Sequence, residues 1–456
     1  MSGKINAPLR LSITKVKGGV GGSVISVSLA KYFSMNGYNV LLVDRDVIST
    51  ASAIAGIRGL GLIQLIKGNE DPFKAVASYR IGLGKVTFLK IFSEGVPVEK
   101  EQIDLKENLN GAVESYKSLL KNERYDIVIV DSMPAVTPLD PIVNWETSSY
   151  YEVFGGKRIE RYVFVLEQSP IVLDATIRYY NILKNYGDLI VSAVIMNRVR
   201  ANAYSISDAQ YMLVEAMNKL NSPIGAIVPE MEELRDVREG IELFPISTQL
   251  MELGNYLIRG GLERRLILPS PYDPIKRALL VNSSTVIKVD PRSAIETEKI
   301  IIRLAHEVYD NPRIFLLTAR EYSVRKNVVK IKVMPAYFSD RVKIKGLEDA
   351  IKLSKKLADE IIGYLDSRSK NIVILHPSKE FEPISACCDP QVLSKVFWGE
   401  FVNQVMSNVT NISLVILCEK SVDSTCNALD GIVDFSIDCE PSGEMLNYLI
   451  KYSRIP

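Results

Sequence analysis

Lys17-Gly18-Gly19-Val20-Gly21-Gly22-Ser23 stands between an apolar run (Leu9, Leu11, Ile13, Val16) and a helix-like stretch from Val24 to Met35. A strand, a glycine-rich turn and a helix in that order form the setting in which backbone N–H groups at a helix N-terminus cradle phosphate. The general pattern G-x-x-x-x-G-K-[ST] also places a lysine just before the hydroxyl residue, to reach the β- and γ-phosphates. In this chain Gly22 occupies that position and Ser23 follows it. The stretch therefore predicts an α/β fold with a phosphate-binding turn that lacks its usual cation. A glycine pair serving only as strand-to-helix turn chemistry is the alternative.

Outward from this loop, short runs rich in Val and Ile alternate with amphipathic stretches, as in a mainly parallel sheet covered by helices on both faces. Strands are predicted at Leu9–Val16, Asn39–Val43, Lys85–Phe92, Ile127–Val130, Arg161–Leu166, Leu189–Met196 and Ile224–Val228. Helices are predicted between them, among them Leu105–Lys121 and Ser205–Leu220. Pro269, Pro271 and Pro274 disfavour both helix and central strand, so a connector is placed at 263–278. It separates a P-loop-like domain, 1–262, from a second α/β domain, 279–456.

Four segments follow the loop in a definite order. Val40-Leu41-Leu42-Val43-Asp44-Arg45-Asp46 ends an apolar strand in two carboxylates, and Ile127-Val128-Ile129-Val130-Asp131-Ser132-Met133-Pro134 ends another in one. Val194-Ile195-Met196-Asn197-Arg198-Val199 ends a third strand in a polar pair, and Ala226-Ile227-Val228-Pro229-Glu230 opens a segment running on through Arg238-Glu239-Gly240-Ile241. Together, and with Gly61–Glu70, these resemble the ParA/MinD family of deviant-Walker, SIMIBI-class P-loop ATPases over roughly residues 8–262. That family's loop reads K-G-G-x-G-K-[ST].

The resemblance implies roles residue by residue. Lys17 matches the signature lysine that crosses to the partner's phosphates in a nucleotide-sandwich dimer. Backbone groups of Gly18, Gly19, Val20, Gly21, Gly22 and Ser23 would hold phosphate, and Asn197, Arg198 and Pro229 would flank the base. Ser23, Asp44 and Asp131 would hold Mg2+, mostly through water, and Asp46 would orient the attacking water. Lys17 and Asp46 are thus the candidate catalytic pair, and ATP or ADP with Mg2+ is the implied cofactor. Without a lysine at 22, the expected ATPase activity is weak or absent, because losing one such charge costs about 3–4 kcal/mol in the transition state. Lys15 or Lys17 could substitute in part. The three aspartates could equally be solvating strand ends, and Trp145, Tyr150 and Tyr151 are expected to pack.

In the second domain, Asp290-Pro291-Arg292-Ser293-Ala294-Ile295-Glu296-Thr297 has the spacing of a phosphate loop but neither its glycines nor its lysine. With Ile372–Ser378 and Leu429–Phe435 it distantly resembles an eroded RecA/KaiC-type ATPase core, with Glu296 placing negative charge where phosphate would bind. A divergent α/β domain of another family fits as well. Either way a scaffold or protein-interaction surface is expected.

Composition narrows the function classes. Fifty-five basic residues against 54 acidic ones leave a net charge of +1, which gives no support for DNA binding, although local patches such as Arg198 and Arg200 stay possible. The five cysteines, Cys387, Cys388, Cys418, Cys426 and Cys439, form no C-x-x-C pair. They are expected as free buried thiols, with no structural metal. Residues 1–386 contain no cysteine, which removes the iron–sulphur carriers that share this type of fold. The lack of a long apolar run or leader predicts a cytoplasmic protein without direct membrane insertion. Three readings stay open: a pseudo-ATPase acting as a switch or scaffold in positioning, partitioning or assembly; a slow, partner-activated ATPase; and a nucleotide-independent scaffold. Expected partners are a second copy, as a dimer, or an active homologue.

Overall fold

Nine strands form the first sheet, in the order β3-β4-β2-β5-β1-β6-β7-β8-β9. They are β1 (Leu9–Thr14), β2 (Asn39–Arg45), β3 (Val76–Ile81), β4 (Gly84–Lys90), β5 (Ile127–Ser132), β6 (Glu160–Glu167), β7 (Leu189–Val199), β8 (Ile224–Pro229) and β9 (Arg265–Ile267). Every neighbouring pair is parallel except the hairpin of β3 with β4 at one edge. This computed structural model describes residues 7–155, 160–231, 234, 240–259, 264–270, 272–309, 312–318, 328–331, 346–366, 370–376, 389–409, 411–420, 423–442 and 445–451. Arg238, Glu239, Pro377, Ser378, Cys387 and Cys388 lie outside the described residues.

The chain divides into two compact units, Met1–Pro269 and Ser270–Pro456. In the first, β1 is central, between β5 and β6. Its Val- and Ile-rich neighbours are buried on both faces, as parallel strands under helices must be. On one face Leu41, Val43, Val128 and Val130 pack against Tyr116, Trp145 and Tyr150, with Tyr151 at the margin, so the expected packing role of those aromatics is met. Beneath β6–β8, Phe164, Val194, Met196 and Ile227 pack against Leu173, Leu213 and Met217.

A buried charge network ties these layers together below the loop. Arg10 of β1 and Arg45 of β2 both donate to Glu146 Oε2, at 2.6 and 2.9 Å, and Tyr116 donates to Glu146 Oε1 at 2.7 Å. Burial alone would raise the Glu146 pKa, but the two guanidiniums outweigh it and hold the carboxyl below its usual range.

Several expectations are corrected. The single helix expected at Leu105–Lys121 is two, Val98–Glu107 and Leu109–Asn122, meeting at Asn108. The stretch expected as a connector, 263–278, carries β9 and the start of a helix, Asp273–Leu280. Pro274 is accommodated there because the first turn of a helix needs no N–H donor.

Among the described residues of the second unit, seven strands form one sheet in the order β12-β11-β13-β14-β10-β15-β16. These are β10 (Ser283–Val289), β11 (Arg313–Thr318), β12 (Val328–Ile331), β13 (Asn371–His376), β14 (Ile412–Glu419), β15 (Phe435–Ser442) and β16 (Met445–Lys451). Only β16 is antiparallel. The segment Leu429–Phe435 runs into β15, which begins at Phe435. The free-thiol expectation fails at one pair, because Cys418 and Cys426 are joined by a disulfide. No described helix is long and apolar enough to cross a membrane.

Candidate functional site

Three strand ends and one helix start converge at the C-terminal edge of the first sheet, the edge where α/β proteins bind ligands. Strand register sets the carboxylates side by side. Ile13 of β1 pairs with Asp131 of β5, and Asp131 pairs in turn with Asp44 of β2. The helix Gly22–Met35 then opens beneath the loop with Gly21 in a left-handed conformation (φ 93°). Its first turn has no side-chain cap and no acidic residue. The helix's own first turn therefore supplies no side chain that offsets its positive end.

Asn197 and Arg198, at the end of β7, brace the loop from the side. Asn197 Nδ2 donates to the Val20 carbonyl at 2.8 Å, and Arg198 Nη1 to the Gly19 carbonyl at 3.2 Å. Any side chain at Gly21 would collide with the Asn197 amide. Arg198 also approaches Glu230 at 3.5 Å. Beside these residues lies a cavity of about 320 Å³, lined on its apolar side by Val24, Ile25, Val228, Pro229, Met231 and Leu250. Val24, Ile25, Met231 and Leu250 escaped the sequence reading because nothing distinguishes a cavity-lining aliphatic from a core one.

The acidic groups differ in what they face. Asp44 is fully buried. Its Oδ2 accepts from the Ser52 N–H (2.8 Å) and hydroxyl (2.7 Å), and its Oδ1 from the Asp46 N–H (3.2 Å). Burial, with the Asp131 charge adding to it, pushes its pKa up to about 7. Asp46 accepts from the Ile48 N–H through Oδ1 and from Lys15 through Oδ2. Burial likewise raises Asp131, against the opposing pull of Lys15 and the nearby Ser23 hydroxyl. Oδ2 of Asp131 nevertheless has no hydrogen bond of good geometry.

Two lysines take opposite postures. Lys17 is over half exposed and donates to Glu167 Oε1 at 2.6 Å, a surface pair of small energetic weight. Lys15, one residue beyond β1, is buried with only 4% of its side chain exposed. Its ammonium lies 3.0 Å from Asp46 Oδ2 and 3.3 Å from Asp131 Oδ1. Its aliphatic chain crosses the open face of Gly22, where an added Cβ would stand 2.7 Å from Lys15 Cδ and 2.9 Å from Nζ. A lysine following an apolar strand was the sequence signal for this contact, but the partner across the loop was not legible. Glu167 carried no signal at all.

A parallel sheet feeding a glycine loop into an uncapped helix, with carboxylates on the adjacent strand ends and an apolar slot alongside, defines a P-loop-type nucleotide-binding α/β protein. Residues 11–243, just over half of the chain, match the CobQ/CobB/MinD/ParA nucleotide binding domain, and the chain belongs to that family. Its similarity to the chromosome-partitioning ATPase Soj of Thermus thermophilus is 28% identity over 131 residues, 28% of this chain and 48% of Soj. The chain thus spans about half the length of that relative. Among solved structures, MinD of Pyrococcus horikoshii OT3 complexed with Mg-ADP is 20% identical, with 54% of this chain and 88% of that one covered and a TM-score of 0.37. The MinC:MinD complex of Aquifex aeolicus is also 20% identical, with coverages of 55% and 96% and a TM-score of 0.38.

Proposed function

We propose that the first unit binds ATP or ADP with Mg2+ and serves as a nucleotide-controlled switch or scaffold in partitioning or positioning, with little or no turnover. The observation that carries this reading is the cavity of about 320 Å³ opening directly onto Gly19 and Gly21. Its apolar wall suits a nucleobase, and the bare helix start beside it suits the attached phosphates. Ser23, with Asp131 behind it, would hold Mg2+, which neutralises phosphate charge when bound. Asp44 is committed to Ser52, which favours a role in shaping the segment after β2 over direct contact with the metal. Asp46 and Lys17 remain the candidates for orienting water and for reaching a second copy's phosphates.

Gly22 supports weak or absent hydrolysis. The name of the Thermus relative, a chromosome-partitioning ATPase, supports the cellular setting. We place the protein in the cytoplasm, as a dimer or with an active homologue, and assign the second unit to protein contacts. The exposure of Lys17 favours one second reading, a slow ATPase completed by a partner.

Calorimetry with ATP, ADP and a non-hydrolysable analogue in Mg2+, with a mass measurement alongside, tests this. Binding accompanied by a rise in Tm is expected, and dimerisation should accompany the triphosphate. No binding and no thermal shift at millimolar nucleotide would leave only a nucleotide-independent scaffold. Mg2+-dependent turnover that disappears in Lys17→Ala and Asp46→Ala would establish the slow ATPase instead.

A further inference from the structure

Gly22 looks like a deleted charge, yet the space it leaves is filled. Lys15 lies across it, and the ammonium sits between the loop and the ends of β2 and β5. A side chain at 22 would enter the volume that the Lys15 side chain now fills, and Lys15 would have to shift to admit it. The other cations at the loop are engaged elsewhere: Lys17 points outward to Glu167, and Arg198 holds the Gly19 carbonyl and Glu230. Of the three N–H donors on a lysine ammonium, Lys15 directs one to Asp46 and one to Asp131 among the described residues.

Resting on the nucleotide reading above, we propose that Lys15 is the phosphate-binding cation of this site, delivered from the end of β1 instead of from the first turn of the helix. Glycine at 22 is then the structural counterpart of Lys15, keeping its path open. The third donor is available to a phosphate oxygen while the other two hold the carboxylates. A phosphate that draws the ammonium further into the loop loosens its hold on Asp46 and Asp131. Nucleotide occupancy and the freedom of those two carboxylates are thereby linked through one side chain.

The test is calorimetric titration of the full-length protein with Mg-ATP, Mg-ADP and adenosine, in wild type, Lys15→Met and the exchanged double variant Lys15→Ser/Gly22→Lys. Lys15→Met should weaken ATP and ADP binding by about ten- to a hundredfold, the range for a lost hydrogen bond to a charged group. Adenosine, which lacks phosphate, should bind as before. The double variant, which returns a lysine through the other route, should recover most of the lost ATP affinity, and it decides the matter if Lys15→Met does not fold. Equal ATP affinity in wild type and Lys15→Met would overturn the assignment while leaving nucleotide binding intact. A double variant that folds but binds ATP as weakly as Lys15→Met would also overturn it. Wild-type protein that binds neither nucleotide would sink the nucleotide reading itself, and this assignment with it.

Discussion

The two units build the same kind of sheet edge and finish it in opposite ways. In the first, the helix after β1 starts without a cap or an acidic residue, and the strand-end carboxylates face a buried lysine. In the second, the turn after β10 closes on itself: Asp290 accepts from the Arg292 N–H at 2.9 Å and its carbonyl from the Ser293 N–H at 2.9 Å. Glu296 then stands exposed in the first turn of the helix Ala294–Val308, matching the helix dipole from within the chain. Deeper at this edge, His376 is clamped between Glu298 (3.2 Å) and Glu419 (3.1 Å). A turn held by its own aspartate, followed by a first helical turn that carries a carboxylate, disfavours an anion. Glycine loops are permissive because they leave donors unspent, and the first unit has kept that property despite Gly22.

The contrast can be broken most severely from below. Glu146→Ala strands two buried guanidiniums and should cost about 3–5 kcal/mol, read as a lower denaturant midpoint for the first unit with the second unaffected. Next, Gly21→Val forces a β-branched residue into a left-handed conformation and against Asn197. It should cost about 2–3 kcal/mol and abolish any nucleotide-dependent rise in Tm. Asp44 offers a test by pH. Its folded pKa, about 7, lies above the ordinary 3.8, so the folded state holds the proton more tightly. Its contribution favours the fold at low pH and is lost as pH rises from about 4 to 7. Asp44→Asn should flatten the fall in Tm across that window by an amount equivalent to about 1–2 kcal/mol. The smallest effect belongs to the other unit. Glu296→Lys should cost about 0.5 kcal/mol through the helix dipole and, placed in a Gly21→Val background, should create no nucleotide binding.

Much of this architecture was legible in the chain. The seven expected strands of the first unit all form, because their apolar runs are buried on both faces and carry no competing signal. The two missed strands, β3 and β9, are edge elements: β3 alternates weakly and β9 is three residues long. The break at Asn108 turns on one residue, whose side chain donates to the Asp104 carbonyl, and the helix starting at Asp273 is masked in the sequence by the prolines around it. The loop, Asp44, Asp46, Asp131 and Asn197 announced themselves by position after a strand. Lys15 could be noticed as a neighbouring cation, but its contact with Gly22 spans a turn and depends on how the chain folds back. Cys418 and Cys426 likewise gave no pairing signal, since eight residues separate them across the end of β14.

The crowding of Lys15 against Gly22 bears on how such a site can change over generations. Moving the cation from one route to the other takes two substitutions. One intermediate carries two ammonium groups and must displace the Lys15 side chain, and the other carries none beside two buried carboxylates. Neither single step leaves the loop as it was, so the glycine and the lysine are expected to change together.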